Sequence, residues 1–304
     1  MKKNICLLFL CLLIPTVLLA DEYDDIVASA LETSKSDTVK AKDQLDVLIK
    51  KNPNRGSAYI AKGIIFFQFD NDLGKASVNF KKGVDLTKDS EERSSLIKFI
   101  NEQTSITQSQ EEAALLRAAY DSTENGEPQK SISSLEKAFS LNKKNWRTYY
   151  EMGYALIDAD RVDEAAAYFE AGLKINPLSQ PMMVELIYVY SHLGDVEKTR
   201  KVITEKVKYF GDSPGLRHEL AYAYNKNKQR KDAVKILAEN IKLFPTYANS
   251  YYAIGQIYYE DKDYENARIH LARFIELAHD DKDAEIVRCV EDAKKILDEI
   301  SSDE

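Results

Sequence analysis

Four tyrosines, Tyr120, Tyr154, Tyr188 and Tyr222, stand 34 residues apart, and three glutamates, Glu151, Glu185 and Glu219, keep the same interval. A phenol ring offers flat apolar area with a hydroxyl at its tip and loses little entropy when fixed. That suits prolines, aromatic side chains or cations. Carboxylates beside the rings favour a basic partner. The same residues admit a plainer use, since rings can cover neighbouring helices and a glutamate row can be a solvated face. Acid–base and nucleophilic chemistry have less to work with. There is no glycine-rich phosphate loop, no cysteine pair at zinc spacing and no nucleophile motif, and the four histidines, at 192, 218, 270 and 279, are scattered. His192 and His218 could approach one another, but two imidazoles are too few for a metal site. The expectation is a protein without catalytic activity, cofactor or metal.

An interval held so strictly points to stacked copies of one unit. The clearest copy runs from Trp146 to Ser179. Tyr149, Met152, Gly153 and Leu156 form one stripe of a first helix, Ala165, Phe169 and Gly172 one stripe of a second, and Pro177 ends it. Small residues at Gly153 and Ala165 suit a close crossing, with Phe169 filling the space beside them. Copies at 112–145, 214–247 and 248–281 keep phase with it; the copy at 180–213 is weaker, with Thr199 where a small alanine is expected. Two more copies precede these, at 22–55 and 56–90, within a segment spanning 21–90.

The phase then breaks. Residues 91–111 belong to no copy. They follow a capping box of Asp89 and Glu92, carry Leu96, Ile97, Phe99 and Ile100 on an extra helix, and end in a polar stretch. A linker and a hinge are both open readings. At the far end, residues 282–300 read as one amphipathic helix capping the last copy, followed by a short tail at 301–304.

This pattern resembles the tetratricopeptide repeat family, whose signature places a large residue, Leu-Gly and an aromatic on the first helix, then Ala, an aromatic and Pro. The resemblance covers 112–281 without insertion. It implies an all-α fold, a right-handed α-solenoid of stacked antiparallel helix pairs. It also implies that the first helices line a concave groove where an extended peptide or a partner's helix lies. The ninth residue of each family unit faces that groove, and there the tyrosines fall. Tyr150, Tyr252, Tyr259, His192, His218 and Asn225 take other groove-facing positions, with Glu151, Glu185 and Glu219 beside the ladder. Family members that grip chaperone tails carry Lys and Asn at the fifth and ninth positions. Leu116, Tyr150, Tyr154 and Tyr188 stand there instead, so that clamp is absent.

Composition agrees with helix: 44% of the 304 residues are hydrophobic, 30% are charged, and only 11 are Gly and 7 Pro. The first twenty residues read differently. Lys2 and Lys3 precede an apolar run from Ile5 to Ile14, then Pro15 and a stretch ending at Ala20, before acidic residues 21–25. That is the pattern of a secretory signal peptide, and an uncleaved anchor is the alternative because Leu18 is not a small residue. The Met-Lys-Lys start reads as bacterial, which places the mature chain in the periplasm. Loss of those residues removes two lysines and no acid, leaving 42 − 2 = 40 basic against 50 acidic residues, a charge of −10. Such a surface repels nucleic acid. Cys289 is then the one cysteine left, on the apolar stripe of the last helix, so no intrachain disulfide forms.

The functional expectation is an exported scaffold of the cell envelope. Its groove over 112–281 would bind a protein or peptide segment, basic or rich in proline and aromatics. A receptor or transport accessory for a small cationic or apolar ligand is the alternative, which a closed pocket would favour.

Overall fold

The computed structural model describes residues 22–302; the expected signal peptide at 1–20 lies outside the described residues. All regular structure among them is helical. Residues up to Met182 and residues from Met183 onward form two compact units.

In the first unit, α1 (Glu22–Thr33) pairs with α2 (Thr38–Lys51), and α3 (Ser57–Ile65) pairs with α4 (Leu73–Leu86) across a π-helical turn at Phe66–Asp70. A lone helix, α5 (Ser90–Gln103), precedes the pairs α6 (Gln110–Glu124) with α7 (Pro128–Leu141) and α8 (Trp146–Asp158) with α9 (Val162–Ile175). The unit boundary falls near the start of α10 (Gln180–His192), which is followed by α11 (Val196–Phe210). The pairs α12 (Pro214–Lys226) with α13 (Arg230–Leu243) and α14 (Ala248–Glu260) with α15 (Tyr264–Ala278) come next. The chain closes with α16 (Ala284–Ser302). The fold is the expected α-solenoid class of paired helices. No helix among the described residues is long and apolar enough to cross a membrane.

Two local devices make each pair. The first is close approach. A Cβ added at Gly153 would come 2.3 Å from the Phe169 ring, and one at Gly255 would come 2.6 Å from Leu271. Phe169 and Leu271 are fully buried by filling the space those glycines leave. At Thr199 the extra hydroxyl is accommodated in the buried seam because it donates to the Asp195 carbonyl at 2.8 Å.

The second device is the turn between helices. Gly126, Asp160, Gly194, Lys228 and Lys262 all have positive φ, and they too are 34 residues apart. Each turn closes with the same two backbone bonds. After α8, Asp160 N donates to Ile157 O at 2.9 Å and Arg161 N to Leu156 O at 2.8 Å. After α14, Lys262 N donates to Tyr259 O at 3.0 Å and Asp263 N to Tyr258 O at 2.9 Å. These satisfy carbonyls that the helix end leaves without a partner. Because only two of the five residues are glycine, residue type gave no steady sign of this period.

Stacking in the first unit does not follow chain order. Helix α4 packs on α9, while α6 meets α7 and α8 rather than α4 or α5. The segment read as linker or hinge accounts for this. Leu96, Ile97, Phe99 and Ile100 of α5 are buried. Asn101 O accepts from Trp146 Nε1 at 3.0 Å, Asn101 Oδ1 accepts from Asn176 Nδ2 at 2.6 Å, and Thr104 O accepts from Trp146 N at 3.3 Å. The segment is thus bonded to the starts of α8 and of the turn after α9. Just beyond it, Ser109 caps α6 by accepting from Glu112 N at 3.0 Å. The fully buried Glu112 carboxylate accepts from Gln108 N at 2.7 Å, Asn145 Nδ2 at 2.8 Å and Asn142 Nδ2 at 3.0 Å. A buried charge is tolerated when donors surround it in this way.

Candidate functional site

Within the first unit, the expected groove residues divide into exposed and packed. Tyr120 is 53% exposed, on a face of α6 where Ala113, Ala114 and Ala118 are also exposed. Tyr150 and Tyr154 lie edge to face at 5.0 Å, and Tyr150 also meets Trp146 at 6.1 Å and Phe169 at 6.2 Å. Tyr150 therefore covers its own helix pair. Glu151 is half-buried, and burial pushes its carboxyl above the ordinary range against the pull of Arg147.

The second unit arranges the same positions as a strip. The His192 imidazole sits between two rings of the tyrosine series, 3.9 Å from Tyr188 and 4.6 Å from Tyr222 by ring centroids. Its Nδ1 donates to the Tyr188 carbonyl at 2.9 Å, one helical turn back. Glu185 is half-buried on the same helix. Ser191 Oγ donates to the Glu219 carboxylate. Burial pushes Glu219 up, opposed by that hydrogen bond and by His192. Burial also raises the Tyr188 and Tyr222 phenols, and the Glu219 charge adds to both shifts.

Beside this strip is a cleft of ≈ 410 Å³. Helix α12 contributes His218, Glu219, Tyr222 and Asn225 to its lining, and Tyr252 comes from α14. All five are residues expected on the groove side. Helix α16 supplies a wall the repeat pattern did not foresee, with Glu285, Ile286 and Cys289. Tyr247, Asn249, Gln256 and Glu260 also line the cleft and were not singled out from the sequence. Tyr247 is the last residue of its copy, so its place was readable from the period. Glu285 lies beyond the period and had no phase to be read from.

The groups in the cleft differ in how far they are already engaged. Tyr252 OH donates to Asp292 Oδ2 at 2.8 Å and accepts from Gln256 Nε2 at 2.8 Å, and Tyr259, which is not among the cleft's lining residues, donates its OH to Glu299 Oε2 at 2.6 Å. These two hydroxyls are committed to binding α16. Glu260 is paired with Arg230 at 2.5 Å. His218 stands edge-on to Tyr247 at 6.2 Å, and burial pulls its imidazole down to about 4, so it is neutral at pH 7. Burial pushes the Cys289 thiol up, which disfavours the reactive thiolate. Among the described residues, no three His, Cys, Asp or Glu side chains converge as metal ligands.

The tetratricopeptide repeat family matches residues 116–179 and 248–281, so the chain carries these repeats in both units. No curated protein matches the chain. Solved structures do. MamA residues 41 to end from Desulfovibrio magneticus RS-1, and a MamA RS-1 double mutant, each align with a TM-score of 0.50 at 16% identity. Each alignment covers 58% of this chain and 99% of the other. The likeness is one of fold.

Proposed function

We propose that this chain of tetratricopeptide repeats is a non-enzymatic binding scaffold whose first-helix faces hold a segment of another protein. The observation that carries this reading is the convergence of His218, Glu219, Tyr222 and Asn225 on one cleft beside an aromatic strip. Adjoining phenol and imidazole rings give contact area at low entropic cost, and acidic walls favour a segment that is basic. The exposed Glu260 and Glu285 open the cleft to solvent. The leader-like composition of residues 1–20 supports a place in the cell envelope, and N-terminal sequencing of protein recovered from envelope fractions tests it. The test of binding is capture of a partner from envelope extract by wild type and by the triple variant Tyr154→Ala, Tyr188→Ala, Tyr222→Ala. A loss of roughly tenfold or more in affinity, with helical content retained, is expected from removing three aromatic anchors. Unchanged affinity for the captured partner overturns the reading.

A receptor for a small ligand is the second reading. The cleft volume of ≈ 410 Å³ falls within the span of roughly 300–1,000 Å³ usual for such sites. Native mass spectrometry of protein purified from its source would show a bound small molecule.

A further inference from the structure

The cleft between α12, α14 and α16 holds polar groups that the fold itself leaves unanswered. The His218 imidazole and the Asn225 amide line it, and neither side chain makes a hydrogen bond among the described residues. Glu219 receives one hydrogen bond, from Ser191, for a largely desolvated carboxylate. Glu285 faces it from α16, and the charges of Glu219 and Glu285 are both felt at Tyr188. Among the described residues, no lysine or arginine lines the cleft. Acceptors and negative charge are in excess there, and ring faces at Tyr222 and Tyr247 stand beside them.

We propose that this cleft is the receptor for the guanidinium group of an arginine side chain carried by the bound segment, an inference that rests on the segment-binding reading above. Four features select that group. Charge excludes an acidic or phosphorylated side chain, because two carboxylates would repel it. The acceptors come from separate helices, Glu219 and Asn225 on α12 and Glu285 on α16, and a fork of five N–H donors can serve acceptors in more than one direction. A ring of the cleft already takes a cation, since Lys226 Nζ lies 6.0 Å from the Tyr222 centroid. A guanidinium is also more weakly hydrated than an ammonium, so entering a half-buried aromatic cleft costs it less.

The probe is the capped pentapeptide Gly-Gly-Arg-Gly-Gly, titrated into the whole protein and followed by NMR of the α12 and α14 amides. The peptide with citrulline in place of arginine, isosteric but uncharged, is expected to bind at least tenfold more weakly, and the lysine peptide at least threefold more weakly. Glu219→Gln and Glu285→Gln are each expected to weaken the arginine peptide by fivefold or more. In Glu219→Gln the Ser191 hydroxyl still has an acceptor, so the melting temperature should hold or rise while affinity falls. Equal affinity for the arginine and citrulline peptides overturns the proposal, as does indifference to both glutamine variants. Tighter binding of free agmatine than of the peptide would also overturn it, in favour of a small cation. Partner capture run in parallel separates the two claims. Tyrosine-dependent capture without arginine selectivity defeats this inference alone, and arginine selectivity with tyrosine-independent capture defeats the broader reading alone.

Discussion

Glu112 in the first unit and Glu219 in the second are both carboxylates set into the first helix of a repeat, and the fold treats them in opposite ways. Glu112 is fully buried among amide donors from Asn142, Asn145 and the Gln108 backbone. Glu219 has the Ser191 hydroxyl and is pushed above its ordinary range by burial that nothing fully offsets. The contrast traces to the two helices that lie outside the repeat frame. The chain leaving α5 runs past the α7–α8 turn, where Ile106 O also accepts from Asn142. Helix α16 instead contributes carboxylates and an apolar stripe. Ala293, Ile296 and Ile300 are buried against Leu271 and Phe274, while Glu285 is left facing the cleft. One frame therefore yields either a sealed interior or an open, charged recess, according to what the non-repeat helix brings to it.

The largest effect expected is on the sealed side. Glu112→Ala strands the Asn145 amide in a dry interior and leaves Asn142 only the Ile106 carbonyl, and a loss of about 3 kcal/mol in unfolding free energy is expected by urea titration. A loss below about 1 kcal/mol would mean the cluster is wetter than its burial implies, and the contrast with Glu219 would collapse.

A smaller effect concerns pH on the open side. His218 has a folded-state value pulled below its unfolded one, so its neutral form favours the native state. Its contribution is fully present above pH 6.5 and is lost as pH falls from 6.5 toward about 4, because the unfolded chain takes up the proton first. His218→Asn should flatten the acid side of the stability curve over that window, by on the order of 1 kcal/mol given a partly exposed ring. Parallel curves for the two proteins between pH 7 and pH 4 would contradict the assigned burial.

The smallest effect compares one turn across the units. Gly126 and Lys228 have φ of 68° and 60° at equivalent positions, and a Cβ at Gly126 would touch nothing within 4 Å. Backbone conformation alone then decides the outcome. Gly126→Ala should cost about 1 kcal/mol, and Lys228→Gly should gain roughly 0.5–1 kcal/mol, both read from thermal unfolding. Effects of the same sign in both would show that the two turns are not equivalent.

The helix pairs were legible because each is specified locally. Ala165 and Phe169 stand at helical spacing on one helix, and that ring is buried where Gly153 of the facing helix lacks a Cβ. Part of the cleft was legible for the same reason. His218, Glu219, Tyr222 and Asn225 share one face of one helix, and helical geometry brings them together without help. Tyr252 and Tyr259 were read as groove residues too, but their hydroxyls go to Asp292 and Glu299, which no repeat phase could have revealed.

Periodicity alone thus determines the 34-residue unit, the helices within it and the face each tyrosine takes, since all three follow from contacts a few residues apart. Which pair stacks on which was decided in three dimensions. Helix α4 meets α9 because α5, outside the repeat, forms long-range bonds to Trp146 and Asn176. The cleft is closed on one side by α16, which packs on α15 and α14 and brings Glu285 and Cys289 to the lining. Contacts between segments with no common period carry no signature in the spacing of residues, so only the folded chain could disclose them.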